Sequence, residues 1–301
     1  MITIPKYLEQ GDTIGIVATA RKVSPEELAP AIKLLSNEGF KVKLGSNLFK
    51  EAHQFSGTDQ QRAADVMQMV ADPEVKAILC ARGGYGSARI LEYLDYEAIR
   101  NNPKWFCGYS DVTVMHALYT KLSIASLHST MPINFPKDGS SNPSTQSLVD
   151  SLKGKHTALA AEANPHNVYG EAEGVLVGGN LSLVYSLMAT DLQLDTNQKI
   201  LFIEDLDEYL YHMDRTMLSL RHSGILGQLA GIAVGYMNDM NDNTIPFGKA
   251  AEEIVYEHTQ HLGIPVAFGI PAGHLEPNYA MVLGKRYRLS VNDTGSLLKI
   301  Q

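Results

Sequence analysis

The run Trp105-Phe-Cys-Gly108-Tyr109-Ser110-Asp111-Val112 carries the sharpest chemical signal in the chain. An apolar strand ends in Gly-x-Ser, and an amphipathic helix begins at once, with Val112, Met115, Leu118 and Leu122 on one face. A turn of this kind lifts a serine hydroxyl clear of a sheet. It also aims the N–H groups of a helix start at a developing oxyanion. A full nucleophile elbow has glycine two residues after the serine. Val112 stands there instead, so Ser110 as a plain helix cap remains open. Cys107 is a second nucleophile by type, but its place inside the apolar strand reads as core.

Three further constellations could join it. Cys80-Ala-Arg82-Gly83-Gly84-Tyr85-Gly86-Ser87 is again a strand running into a glycine-rich turn. Such a loop offers bare backbone N–H groups to an anion, either a phosphate or the oxyanion of a neighbouring elbow. It is neither a P-loop nor a dinucleotide fingerprint, which counts against a nucleotide-dependent oxidoreductase. A tight turn that simply needs glycine explains it equally well. Leu201-Phe-Ile-Glu204-Asp205-Leu-Asp207-Glu208 ends an apolar strand in four acids, which could orient a histidine or start a helix favourably. Phe268-Gly-Ile-Pro-Ala-Gly273-His274 puts a histidine in a Gly/Pro loop after a strand, where catalytic residues concentrate. The chain order Ser…Glu…His suits a triad, although spacing alone does not bring the three together.

Metal chemistry has little support. No His or Cys stands at ligand spacing beside the four acids. The run from Asp239 begins like a calcium loop, then places Thr244 where glycine is needed and Ala250 where the bidentate glutamate belongs. No cofactor is expected.

These residues need a frame, and the first half supplies strand and helix signals in alternation. Strands are predicted at Thr13–Ala18, Phe40–Leu44, Lys76–Ala81 and Lys104–Tyr109. Between them, helices start at Ser24, a cap followed by proline and two acids, and at Thr58, with Ser87–Leu94 and Val112–Leu122 beyond. That alternation predicts a three-layer α/β domain on a mostly parallel sheet. From Phe135 to about Gly174 the pattern dissolves into polar, turn-rich sequence, so the expected organisation is a domain over 1–145, a linker over 146–169 and a second domain over 170–301. The second domain is expected to be smaller and mixed α/β. Its predicted elements are a helix Leu181–Thr190, a strand Ile200–Glu204, a helix around Asp207–His222, and strands at Gly231–Tyr236, Pro265–Ile270 and Arg286–Val291.

Composition narrows the function classes. With 301 residues, 45% hydrophobic and 19% charged, the chain can build a sizeable core. A formal net charge of −8 argues against a nucleic-acid partner bound through its phosphates. Two cysteines, Cys80 and Cys107, both in apolar runs, make no disulfide framework and fit a reducing compartment. No segment approaches the roughly 18 apolar residues of a membrane span, and the N-terminus does not read as a signal peptide. The expectation is a cytoplasmic protein with no membrane partner.

Six segments in order resemble the LD-carboxypeptidase family of serine peptidases, which includes murein tetrapeptide carboxypeptidases and microcin C immunity peptidases. They are Gly11-Asp-Thr-Ile-Gly-Ile-Val-Ala18, Arg82-Gly-Gly-Tyr-Gly86, Gly108-Tyr-Ser-Asp111, Gly178-Gly-Asn-Leu-Ser182, Leu201-Phe-Ile-Glu-Asp205 with Asp214-Arg215, and Gly269-Ile-Pro-Ala-Gly-His274. The resemblance implies an N-terminal domain like class I glutamine amidotransferases, a smaller C-terminal domain, a site to which both contribute, and a homodimer. It implies Ser110 as nucleophile, Glu204 as orienting acid and His274 as base, with backbone N–H groups of Gly84 and Asp111 as the oxyanion hole. Glu208, in the same acidic run, competes with Glu204. Arg82 and Tyr85 are expected at the substrate, although Arg82 suits a structural salt bridge equally. The implied substrate is a small muropeptide that loses a terminal D-alanine. The alternatives are a microcin-type peptidyl-adenylate amidase, for which the single Trp105 looks too buried to stack a base, and a silent ligand-binding module.

Overall fold

A computed structural model describes residues 2–301. Its contacts divide the chain into two units. The first runs to His156 and takes in Tyr279–Val282; the second comprises Thr157–Asn278 and Leu283–Gln301.

In the first unit, β1 (Thr13–Val17), α1 (Pro25–Asn37), β2 (Lys41–Leu44), α2 (Asp59–Ala71) and β3 (Val75–Cys80) follow one another as the periodicity predicts. Ser24 and Thr58 both cap their helices through reciprocal capping boxes, which is why the two helices start where they do. Then come α3 (Tyr96–Asn101), β4 (Trp105–Gly108), α4 (Thr113–Lys121), β5 (Ser126–His128) and α5 (Pro143–Leu152). The stretch predicted as a helix from Ser87 is a 3₁₀ segment, Ser87–Tyr93. No side chain caps it, and it is followed at once by the Asp95-capped α3.

The second unit holds β6 (Leu159–Glu162), β7 (Gly170–Asn180), α6 (Leu181–Ser186), β8 (Lys199–Leu206), α7 (Leu210–His222), β9 (Gly231–Asn238), α8 (Ala251–Thr259) and β10 (Val266–Ala267). The chain then gives β11 (Met281–Leu283), β12 (Arg286–Asn292) and β13 (Gly295–Ile300). Helix α6 is shorter than predicted because Ala189 turns to φ 59 and the Thr190 hydroxyl donates to Leu187 O, 2.6 Å away. The strand expected over Pro265–Ile270 keeps only two residues, after which the backbone turns at Gly269, φ 77. The segment 146–169, read as linker, contains most of α5 and all of β6.

The first sheet has the order β11-β5-β4-β3-β1-β2, with β2, β1, β3, β4 and β5 parallel throughout. The chain moves from β1 outward to β2, then returns past β1 to β3 and continues to β4 and β5. Right-handed crossovers therefore place helices on both faces. Crevices at such a reversal gather functional loops at the carboxyl ends of the strands. The segments after β1, β3 and β4 are the ones that carry Arg21, the glycine loop and Ser110.

The second sheet is mixed, in the order β10-β9-β8-β7-β12-β13-β6. Strands β7 to β10 are parallel, and β12, β13 and β6 add antiparallel pairings. The chain is thus an α/β protein with two sheets. Among the described residues no helix is long and apolar enough to cross a membrane.

Candidate active site

Ser110 follows β4 directly and adopts φ 61, a left-handed backbone that a non-glycine residue takes only under local constraint. It opens a 3₁₀ turn, Ser110–Val112, that runs straight into α4. The strand beneath it is fixed by His116, which is fully buried. Its Nε2–H donates to Gly108 O at 2.9 Å, and its Nδ1 accepts from the Ser126 hydroxyl at 2.9 Å. Burial pushes this imidazole down to about 4, opposed by the bond to Gly108, so the ring is neutral and holds one tautomer. No local pattern marks His116, because both partners come from strand ends.

The glycine loop lies against this turn. A Cβ on Gly83 would stand 3.2 Å from Ser110 Cβ and 3.4 Å from Ser110 Oγ, which shows how closely the loop backbone approaches the hydroxyl. Gly84 takes φ 105. The Asp111 carboxylate ties the two together by accepting from Ser87 N–H at 2.7 Å. Burial raises the Asp111 carboxyl, while the hydrogen bonds from Ser87 and the nearby Arg62 charge oppose the rise. Arg62, with its side chain fully buried, donates to Thr19 O at 3.0 Å and Gly57 O at 2.9 Å, and pairs with Asp59 at 2.6 Å. Its guanidinium sits 4.8 Å from the Phe55 ring centroid. Its periodic place inside α2 gave no hint of this role. The first unit thus brings Ser110, Gly84 and Asp111 into one neighbourhood.

Arg82 lies 3.7 Å from the Glu27 carboxylate, so it has the structural partner its sequence context allowed. Tyr85 is half exposed and tilts against Phe55, with centroids 6.1 Å apart. Cys107 is buried in β4, and burial raises its thiol well above the ordinary value, which removes it as a ready nucleophile. Trp105 is buried too, stacked on Tyr7 and donating to Lys6 O at 3.1 Å.

In the second unit, His274 Nδ1 donates to Glu204 Oε2 at 2.6 Å. Glu204 is completely buried at the end of β8, and burial raises its carboxyl above the usual value against the hydrogen bonds of His274 and Asn180. The contact depends on Gly273. At φ 127, a side chain there would put its Cβ 3.0 Å from Glu204 Oε2, so only glycine lets the loop descend onto the carboxylate. Gly273 N–H is itself held by Asn278 Oδ1 at 3.1 Å.

Glu208 is engaged elsewhere. It pairs with His212 Nδ1 at 2.8 Å and accepts from the Ser182 hydroxyl at 3.1 Å. Against the cost of partial burial, the His212 and Tyr209 hydrogen bonds hold Glu208 below its ordinary value. Asp205, adjacent to Glu204, also faces inward, because the β8–β9 register shifts between Ile203 and Asp205. It accepts from Asn180 Nδ2 at 2.8 Å and from Ser182 N–H and O–H at 2.9 Å each, which fastens the start of α6. Of the four acids, only Glu204 touches the histidine, and with Nδ1 carrying the proton the basic lone pair lies on Nε2. Among the described residues, no group of three or more His, Cys, Asp or Glu side chains is arranged to hold a metal ion.

Two family models match the sequence: the LD-carboxypeptidase N-terminal domain over residues 14–129 and the LD-carboxypeptidase C-terminal domain over 173–289. A Bacillus subtilis protein named "Probable murein peptide carboxypeptidase" is 34% identical, over 98% of this chain and 94% of its own length. The Escherichia coli microcin C7 self-immunity protein MccF is 25% identical, over 95% and 92%. Among solved structures, a muramoyltetrapeptide carboxypeptidase from Oxalobacter formigenes superposes with a TM-score of 0.88 at 27% identity, covering 96% of this chain and 98% of that one.

Proposed function

The chain belongs to the LD-carboxypeptidase family, and from that premise we propose that it removes the terminal D-alanine from murein tetrapeptide by a Ser110–His274–Glu204 mechanism. The class is settled by the family: this is a serine-type LD-carboxypeptidase. In the proposed reaction, the Ser110 hydroxyl attacks the carbonyl joining an L-centre to D-alanine, and His274 Nε2 takes its proton. The N–H groups of Gly84 and Asp111 stabilise the tetrahedral oxyanion. His274 then protonates the departing amine, and a water molecule, deprotonated by the same imidazole, releases the acyl group from Ser110. Glu204 holds the imidazole tautomer and balances the imidazolium charge. The setting we propose is cytosolic recycling of cell-wall peptides by a homodimer.

The observation that carries this reading is the left-handed backbone of Ser110, at the strand-to-helix turn beside the glycine loop. A residue that only capped a helix would not require that strain. The names of the Bacillus and Oxalobacter relatives favour a murein peptide. Incubation of the purified protein with murein tetrapeptide, followed by mass spectrometry, tests it. Loss of one D-alanine is the expected outcome. An intact tetrapeptide would overturn the murein assignment and direct attention to peptidyl-adenylate conjugates.

A further inference from the structure

We propose that Arg21 recognises the C-terminal carboxylate of the peptide and so sets the preference of this enzyme for substrates ending in a free acid. The inference rests on the peptidase reading above and assigns a residue to its specificity.

Arg21 lies just beyond β1, and its backbone is fastened to the glycine loop. Its N–H donates to Gly83 O over a long 3.5 Å, and it bridges Phe55 in antiparallel fashion. Beside it, Ala20 Cα would stand 2.9 Å from a Cβ on Gly86. The side chain then runs over Gly84. A Cβ there would meet Arg21 Cδ at 2.6 Å and Nε at 2.7 Å, so the stem and the first guanidinium nitrogen occupy the face that glycine leaves bare. The next residue back, Gly83, is the one in near contact with Ser110. A cation thus lies one residue along the loop from the nucleophile.

Its charge is also uncommitted. Lys22 pairs with Glu51, Arg62 and Arg89 with Asp59, and Arg82 with Glu27, whereas Arg21 is exposed and makes no ion pair among the described residues. A carboxypeptidase distinguishes a terminal bond from an internal one chiefly by the charge of the leaving residue. A guanidinium provides a planar, permanently charged fork that fits a carboxylate. In a chain of net charge −8, an acidic peptide needs such a local cation to offset the mean field.

The test compares kcat/KM for murein tetrapeptide with that for its C-terminal amide, in wild type, Arg21→Met, Arg21→Lys and Arg82→Met. Methionine keeps a linear stem over Gly84 and removes the charged, hydrogen-bonding fork. Arg21→Met is expected to raise KM for the acid by about 10- to 100-fold, the scale of a charged hydrogen bond, and to leave the amide nearly unchanged. Arg21→Lys should recover part of the preference, and Arg82→Met should retain it. An equal loss on both peptides would mark Arg21 as structural and overturn the proposal. So would an unchanged acid-to-amide ratio in Arg21→Met, or a ratio that collapses in Arg82→Met instead. Failure of wild type to cleave either peptide would overturn the murein assignment on which this inference rests, and this inference with it.

Discussion

The region around Ser110 and the region around His274 are built by opposite means. At Ser110 the backbone carries the arrangement: a left-handed serine, two bare glycines and a neutral histidine gripping the Gly108 carbonyl. At His274 the side chains carry it: a completely buried carboxylate holds one imidazole nitrogen at 2.6 Å. The difference teaches where each half is vulnerable. A backbone-built site tolerates changes of charge nearby and fails when conformation changes. A side-chain pair in a dry setting depends on charge, because an unpaired buried carboxylate costs several kcal/mol.

The largest expected effect breaks the first half. Ser110→Ala should lower kcat by at least a thousandfold with an unchanged circular dichroism spectrum, since alanine keeps the turn and removes the proposed nucleophile. Glu204→Gln should follow closely, by about a thousandfold, whereas Glu208→Gln, which touches His212 and Ser182 but not His274, should change kcat less than tenfold. Equal losses in the two glutamine variants would erase the distinction between these acids. Gly273→Ala comes next. Its Cβ meets Glu204 Oε2 at 3.0 Å in a positive-φ position, so a drop of several degrees in Tm and about tenfold in kcat is expected.

The smallest effect is one of stability and belongs to the backbone-built half. The folded His116 imidazole sits at about 4 against a reference of 6.5, so the unfolded chain takes up its proton first as pH falls. The His116 contribution to stability is therefore full above about 6.5 and declines towards 4, by an amount on the order of 3 kcal/mol. Chemical denaturation between pH 7 and 4 should show stability falling more steeply with acid in wild type than in His116→Asn, the difference being this contribution. Identical slopes would remove His116 as the origin.

Much of the Ser110 half was legible because its determinants are consecutive. An apolar strand, Gly-x-Ser and an amphipathic helix lie within some twenty residues, and the glycine loop reads in the same way. The choice of Glu204 over Glu208 came from the family resemblance and not from the local residues, since the contact that separates them is with a residue 70 positions away. Arg62 and His116 were hidden for a similar reason: besides Asp59 and the Ser126 hydroxyl, their partners are carbonyls on other strands and loops, which no side-chain pattern announces. In the fold, the long alternating elements were visible, but β5 has only three residues and α5 begins inside polar, turn-like sequence. The Asn142 cap and the proline that opens α5 were helix signals within that stretch.

In the proposed mechanism Ser110 is the nucleophile, His274 its base and Glu204 the acid that orients the imidazole. Rapid acid quench of single turnovers with murein tetrapeptide, followed by peptide mapping in a mass spectrometer, tests it most directly. A tripeptide acyl group is expected on Ser110 in wild type, forming at least a hundredfold more slowly in His274→Ala and Glu204→Gln. An acyl group on another residue, or one forming on Ser110 at the wild-type rate in both variants, would contradict it.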